Sequence, residues 1–431
     1  MKKNKFNIVI VGLGNIGASL YKHLLQNKNN IKKKTNTDFD IKYVSAKNKL
    51  KKRNFFIPKK KWLKNYMEAP KRKDVDIIIE LIGGSDGAAK KLVFSAIKNK
   101  KNVVTANKAL ISKYGNELSK LAEKNRVNLE FEAAVAGGVP IIRVIKEAFI
   151  SNKITKVYGI LNGTSNYILS KMSETHQNFF EVLESAKKLG YAESNPISDL
   201  NGDDAKSKIQ ILSSLAFQSL INSSKITVQG IKNIDHIDIM NAKKLGYKIK
   251  HLAIAELRNN KLIQRVHPCM IKSNSYISNI NGVLNAVIIE GNPIGKFTIQ
   301  GEGAGAGPTT SALTSDICSI LRGNIKFPFA IPNENRKKIT TIDISQETFS
   351  SYIRLDVIDK TGVLSSITKT LSKNKISVKR LIQNPFKSKK FASIIIISHK
   401  AKNINLEKSI YELGKKQFII NKPKYIRIEK I

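Results

Sequence analysis

The chain has 431 residues, 41% of them hydrophobic, which is length and apolar content for two or three domains with separate cores, and it has no apolar run of transmembrane length. Its two cysteines, Cys269 and Cys318, exclude a disulfide framework or a cysteine-rich zinc site, and its six histidines show no metal-ligand spacing. Lys and Arg outnumber Asp and Glu by 75 to 33, a formal charge of +42, but the basic residues are spread along the whole chain without clustering or a nucleic-acid-binding motif. The excess therefore reads as solvated lysine-rich faces that draw in anionic cofactors, with neither nucleic acid nor membrane as partner.

The N-terminus runs directly into an apolar strand over Phe6 to Val11, without the longer apolar core of a signal peptide, and predicts a cytoplasmic protein. Gly12-Leu13-Gly14-Asn15-Ile16-Gly17 follows at once, and a helical pattern continues through Leu20, Leu24 and Leu25. Strand, glycine turn and helix in that order are the context of a dinucleotide-binding turn. Gly12 allows the tight turn, Gly14 the approach of the pyrophosphate and Gly17 close helix–strand packing, with the phosphates at the helix N-terminus beside Asn15 and Ile16. Asn27 to Asp38 is polar and lysine-rich and reads as a mobile surface loop.

A second strand is predicted over Phe39 to Ala46. Where an NAD-binding protein would place an acidic residue against the ribose hydroxyls, this chain has Lys47, Asn48 and Lys49, then Lys51, Lys52 and Arg53. Cations without a carboxylate favour a 2′-phosphate, so NADP is expected, with Lys47 as its contact and NAD also accommodated. Val75 to Ile82 reads as a buried parallel strand closed by Gly83-Gly84, and Ala88 to Ile97 as a helix. Val103 to Leu110 follows, with Lys108 at a helix start, a position that also suits a plain surface charge. Glu130 to Pro140 leaves a strand for a helix, and its small residues expose carbonyls beside the Glu132 carboxylate. Such a loop can hold a monovalent cation through hard oxygen ligands, or be a close-packed Gly137-Gly138 turn. Ile154 to Leu161 precedes a polar turn, Asn162 to Tyr167, that opens a helix.

Gly190 to Lys208 is the richest stretch. Its first half is loop by composition, and Asn201-Gly202-Asp203-Asp204 opens a helix through Ala205, Ile209, Leu212, Ala216 and Leu220. Asp204 and Lys208 lie four residues apart, on one side of that helix. Lys208 falls in the apolar sector, whereas Lys206, Ser207, Gln210, Ser213 and Ser214 fill the polar arc. A buried ammonium is costly unless paired, and Asp204 is in reach; the alternative is an ordinary surface pair. A lysine so placed has a movable pKa, which suits proton transfer.

From Thr227 to Phe297 the pattern is α+β, with a helix near Ile234 to Leu245 and strands near Ile249 to Leu257 and Leu262 to Ile271. Gln300 to Thr310 is a second glycine-rich turn, ahead of a helix ending near Leu321. Residues 324–348 read as a linker. Beyond it, strands at Tyr352 to Ile358, Ile376 to Gln383, Ala392 to Ser398 and Tyr425 to Ile428 alternate with helices at Thr361 to Asn374 and Leu406 to Leu413, in the order βαββαβ.

The pattern Ala186-x-x-x-Gly190-Tyr-Ala-x-x-Asn-Pro-x-x-Asp-Leu-x-Gly-x-Asp204-x-x-x-Lys208 resembles the signature of homoserine dehydrogenase. Asp76 to Gly84, Thr105 to Lys108, Asn162 to Tyr167 and Gln300 to Thr310 resemble the same family, and Asp359 to Leu364 resembles an ACT domain, an amino acid-sensing module. The resemblance implies an α/β architecture: a Rossmann domain at 1–134 completed by 300–323, an α+β substrate and dimerisation domain at 135–323, the linker, and a ferredoxin-like ACT domain at 349–431. It implies Lys208 as the group that exchanges the substrate proton, and Glu193, Asp204 and Lys108 as substrate contacts. Lys108 would also stand by the nicotinamide, with Gly83, Gly190, Gly303 and Gly305 near the cofactor. The Gly303 turn differs slightly from the family's usual form. Sodium would be bound at Glu132, Val135, Gly137 and Val139.

The activity implied is reduction of L-aspartate 4-semialdehyde to L-homoserine with NADPH, or its reverse, on the route to threonine and methionine. The small-molecule substrate would be joined by threonine as an allosteric effector and by further copies of the chain in a homodimer or homotetramer. Another two-domain NADP enzyme acting on a small amino acid is the first rival; aspartate-semialdehyde dehydrogenase is excluded by the missing cysteine nucleophile motif. A basic nucleic-acid-binding protein with a vestigial Rossmann fold is the rival from another class, and it would show steeply salt-dependent DNA binding.

Overall fold

The computed structural model describes residues 3–175, 177–222, 225–323, 326–385 and 390–431. His176 and the first two residues of the predicted linker, Asn324 and Ile325, lie outside the described residues. The chain opens with β1 (Lys5–Val11), α1 (Asn15–Gln26), α2 (Lys28–Thr35), β2 (Asp38–Ser45), α3 (Glu68–Lys71) and β3 (Ile77–Glu80). It continues with α4 (Ala88–Lys98), β4 (Asn102–Thr105), α5 (Lys108–Asn125) and β5 (Leu129–Glu130). The strands form a parallel sheet in the order β2-β1-β3-β4-β5. Alternation along each strand sends Ile8, Ile10, Ile77 and Ile79 to one core and Val9, Val11, Ile78 and Val103 to another, so both faces are covered.

The stretch read as a mobile loop is helix α2. Ile31 and Thr35 turn inward and are buried, Thr35 Oγ1 donates to the Ile31 carbonyl at 2.8 Å, and Asn36 closes the helix in the left-handed conformation. A short amphipathic turn hidden among six lysines and asparagines gives little periodic signal, which is why its composition suggested a loop.

The second region runs α6 (Ile141–Arg143), β6 (Lys153–Ile160), α7 (Gly163–Thr175), α8 (Phe179–Lys188), α9 (Ile197–Asn201), α10 (Asp203–Ala216), β7 (Thr227–Val228) and α11 (His236–Lys244). Four long strands follow, β8 (Tyr247–Arg258), β9 (Lys261–Lys272), β10 (Leu284–Asn292) and β11 (Gly295–Glu302), before α12 (Ala306–Leu321) returns to pack on α1. Leu313, Ile317, Ile320 and Leu321 of α12 join the core of the first sheet. The last region is β12 (Thr348–Ile358), α13 (Val363–Lys373), β13 (Val378–Pro385), β14 (Phe391–Ser398), β15 (Ala401–Lys402), α14 (Asn403–Gly414) and β16 (Lys424–Ile428), with its main strands in the order β16-β12-β14-β13.

Two features depart from the sequence reading. The C-terminal region does not hang beyond a loose linker. β16 pairs in parallel with β9 through Arg427 opposite Cys269 and Ile428 opposite Met270, so one sheet runs β11-β10-β6-β8-β9-β16-β12-β14-β13. The connecting stretch is itself fixed: Phe329 and Arg336 are buried, and Ser219 and Leu262 bridge to Lys337 and Thr341. In addition, the polar arc of α10 is wet only at its start. Lys206 and Ser207 stay partly exposed, but Gln210, Ser213 and Ser214 are buried, because α5, β6, β8 and β9 pack around the helix. No described helix is long and apolar enough to cross a membrane.

Candidate active site

The turn after β1 is shaped by its glycines. Gly12 has φ +106, and a Cβ there would lie 2.3 Å from the Leu81 carbonyl oxygen; a Cβ on Gly17 would lie 2.0 Å from the Gly12 oxygen. Both positions are closed to any side chain. At Gly14 a Cβ would meet nothing within 4 Å, leaving backbone open at the start of α1. Asn15 and Ile16 begin that helix, where free N–H groups suit an anion.

A cavity of about 660 Å³ opens over this turn, lined by Gly12, Gly14, Ser45, Lys47, Lys49, Lys51 and Arg53 among others. Arg53 is partly committed within it. Its guanidinium donates to the carbonyls of Asn48 at 3.0 Å and Lys51 at 2.9 Å and stacks on Trp62, so it braces the loop, while Lys47 and Lys49 remain exposed.

The end of β3 builds the next wall. Buried Glu80 accepts from the N–H groups of Ile82 at 2.7 Å and Gly83 at 3.0 Å, and from Thr105 Oγ1 at 2.6 Å. Asn107 donates from Nδ2 to the Gly84 carbonyl at 2.7 Å and caps α5 by accepting from Leu110 N–H at 3.1 Å. These bonds lock the Gly83 turn to the start of α5, and so fix where Lys108 emerges. Glu80, Thr105 and Asn107 had no assigned role in the sequence reading; an acidic residue ending a buried apolar strand was the available signal.

Lys108 then reaches out of the first region into the second. Its Nζ lies 2.8 Å from Asp204 Oδ1, and Lys208 Nζ lies 2.7 Å from Asp204 Oδ2. Asn162 Nδ2 donates to Asp204 Oδ2 at 2.9 Å and to Asp199 Oδ1 at 2.8 Å, and Lys208 donates to the Leu161 carbonyl at 2.7 Å. Asp204 and Lys208 are buried, as their side of α10 predicts, while Lys108 is half-exposed on the cleft. Burial would raise the Asp204 carboxyl, but two ammonium groups outweigh it and hold the group well below the carboxylate range. Lys208 moves the other way: burial drives its pKa down, and Lys108 adds to that, against the pull of Asp204. For Lys108, the carboxylates of Asp204, Asp199 and Glu193 outweigh burial and raise it.

Exposed Glu193 thus acts on Lys108 through its field, without a contact to it. Gly190 is exposed with φ +74 on the turn after α8. Gly305, with φ +109, precedes α12, and Gly303 packs against Asn285, whose Nδ2 donates to the same Leu161 carbonyl that receives Lys208. Glu132, Val135, Gly137 and Val139 share one loop. Both Glu132 oxygens accept main-chain N–H groups, from Ile142 at 2.9 Å and Arg143 at 2.8 Å, and a Cβ on Gly137 would lie 2.6 Å from the Gly303 oxygen. Burial pushes the Glu132 carboxyl up to about 7, and no side-chain cation forms an ion pair with it among the described residues.

Two lysines thus share one buried carboxylate, and one of them opens the helix that Asn107 ties to the Gly83-Gly84 turn. Residues 140–318 match the family profile described as homoserine dehydrogenase, and residues 12–132 match its NAD-binding domain. A homoserine dehydrogenase of Neisseria gonorrhoeae is 38% identical over 410 residues, 94% of each chain. The chain belongs to the homoserine dehydrogenase family. The homoserine dehydrogenase of Helicobacter pylori is 35% identical over 99% of this chain and 100% of its own. A homoserine dehydrogenase from Thiobacillus denitrificans superposes with a TM-score of 0.92 at 33% identity, over 99% of both chains. Membership makes this an NAD(P)-dependent oxidoreductase and fixes the first sheet as its nicotinamide dinucleotide-binding domain.

Proposed function

We propose that the chain interconverts L-aspartate 4-semialdehyde and L-homoserine with NADP, and that Lys208 carries the substrate proton. The observation behind this reading is the Lys108–Asp204–Lys208 arrangement at the junction of the two regions. In reduction, the nicotinamide supplies a hydride to the aldehyde carbon. The carbonyl oxygen gains the electron pair and takes a proton from Lys208 Nζ. Of the three N–H bonds on that ammonium, two point to Asp204 and Leu161, leaving one for the substrate oxygen. Its lowered pKa makes the proton easier to give, and in the reverse direction makes the neutral base available at lower pH. Lys108 and Asp204, with Glu193 across the cleft, present both signs of charge and suit an amino acid substrate.

The preference for NADP rests on Lys47 and Lys49 at the end of β2, exposed to the cavity and without a carboxylate among its named lining residues. A monovalent cation, sodium first, fits the Glu132 loop: a buried carboxylate raised by desolvation gains from a cation beside it, and the carbonyls of Val135, Gly137 and Val139 would complete the oxygen ligands. It would hold that loop against the Gly303 turn. The C-terminal region reads as an ACT module sensing threonine, supported by its βαββαβ order and by Gly362 with φ +87 at the start of α13. The working enzyme would be a homodimer or homotetramer on the route to threonine and methionine. NADPH oxidation on adding the semialdehyde, in wild type and Lys208→Ala, tests the reading.

A further inference from the structure

Arg336 sits in the stretch between the substrate region and the C-terminal sheet and is buried, 5% exposed. Its guanidinium donates to Ser119 Oγ at 3.0 Å and Asn116 Oδ1 at 2.9 Å on α5, and to Ser214 Oγ at 2.8 Å on α10. It also donates to the Ser219 carbonyl from Nε at 3.2 Å and Nη2 at 3.0 Å, and to Asn333 Oδ1 at 3.0 Å, while the Phe329 ring stacks 4.0 Å away. No carboxylate forms an ion pair with it among the described residues. A buried cation bound only by neutral oxygens is costly, and burial lowers its pKa to about 10. The fork geometry, with donors sent in fixed directions to three segments, is what the position uses.

The segments it joins are specific. α5 begins at Lys108 and α10 carries Asp204 and Lys208. At 1.5 Å per residue, Asn116 lies ~12 Å along α5 from Lys108, and Ser214 lies ~9 Å along α10 from Lys208. The helix pair is therefore joined at its start by the Lys108–Asp204–Lys208 bridge and again, at mid-α5 and the last turn of α10, by Arg336. Around Arg336 the chain is stapled further: Leu220 N–H donates to the Lys337 carbonyl at 2.9 Å, Lys337 N–H to the Gln218 carbonyl at 3.1 Å, and Asn333 N–H to Glu123 at 2.9 Å.

We infer that Arg336 is a positioning residue for the reaction: by clamping the middle of α5 to the last turn of α10 it sets how Lys108 meets Asp204, and it links the stretch leading to the C-terminal region with the active site. This rests on the reading that Lys108 and Asp204 serve the reaction, but not on Lys208 as the proton carrier. A double-mutant cycle tests it, using homoserine oxidation by the full-length enzyme. Residues this far apart act additively unless one positions the other. Lys108→Ala should lower kcat/KM strongly in wild type but at least five-fold less in Arg336→Ala, with Arg336→Lys giving no full rescue because an ammonium lacks the fork. Ser214→Ala, which removes one acceptor only, serves if Arg336→Ala does not fold, and should show the same non-additivity to a smaller degree. Folded variants whose effects multiply to within about two-fold would overturn the inference, since a residue needed only for stability lowers Tm without coupling to Lys108. If Lys108→Ala has no effect in wild type, the active-site reading itself fails and the inference falls with it.

Discussion

Lys108 and Asp204 meet at 2.8 Å, one from the first turn of a helix in the dinucleotide-binding region and the other from the first turn of a helix in the second region. That contact joins the dinucleotide-binding region to the region that follows it. It also leaves Asp204 with one oxygen for each lysine, so the protonation of Lys208 depends on a residue of the other region.

Asp204→Asn follows from this. It removes the anion that supports both ammonium groups, so the Lys208 pKa should fall further, and the acidic limb of the homoserine-oxidation pH profile should move to lower pH. Removing one partner of a buried ion pair costs about 3–5 kcal/mol, which a denaturant titration of the variant reads directly. A limb displaced to higher pH would show that the carboxylate does not govern Lys208.

Cofactor choice is the second expectation. Lys47→Glu should lower the preference for NADPH over NADH, measured as the ratio of kcat/KM values. Arg53→Ala should act differently, because Arg53 braces the loop through carbonyls: both cofactors should weaken together. An unchanged ratio in Lys47→Glu moves the 2′-phosphate to Lys49.

His251 makes stability depend on pH. It is fully enclosed below the start of α10, bonded through Nε2 to the Gln229 carbonyl at 2.9 Å, and burial lowers its pKa from 6.5 to about 4. The unfolded chain takes up the proton near pH 6.5 and the folded chain only near pH 4. The contribution is thus present above 6.5 and lost as pH falls through that window, about 3 kcal/mol in all. His251→Gln should remove that part of the slope in unfolding titrations between pH 7 and pH 4. An unaltered slope would mean that the imidazole is not held neutral.

Regulation gives a fourth. Removing everything after Ile339 is a poor test, since it strips β16 from the edge of β9 and the Thr340 and Thr341 backbone from Leu262. A point change is cleaner. Gly362→Val, at φ +87, should distort the turn at Asp359 to Leu364 and abolish threonine inhibition while basal activity stays near wild type. Retained inhibition would place the effector elsewhere.

Much of this was legible in the sequence, and the gaps have physical causes. Strand, glycine turn and helix at Phe6 to Leu25 are local patterns, and so is the four-residue spacing of Asp204 and Lys208. Lys108 meeting Asp204 joins residues 96 positions apart, which no periodicity carries. The strands β10 and β11 were not assigned from sequence: they form a local hairpin closing at Gly291 opposite Gly295, and only β10 pairs onward to the distant β6. The polar arc of α10 holds at Lys206 and Ser207 and fails beyond them, because periodicity measures which side is polar, not which side is wet: Ser213 accepts from Gln264 at 2.6 Å and Ser214 from Arg336, so buried hydroxyls are satisfied by partners far along the chain.

The most direct measurement is semialdehyde-dependent NADPH oxidation by Lys208→Ala, alongside NADPH binding followed by fluorescence. Lys208 is held by Asp204 and the Leu161 carbonyl, and among the described residues it makes no hydrogen bond or ion pair to the glycine turn, so binding should stay within a few-fold of wild type while kcat falls by about 10²-fold or more, the range for losing a general acid. Turnover above a tenth of wild type, with binding intact, would contradict Lys208 as the proton carrier.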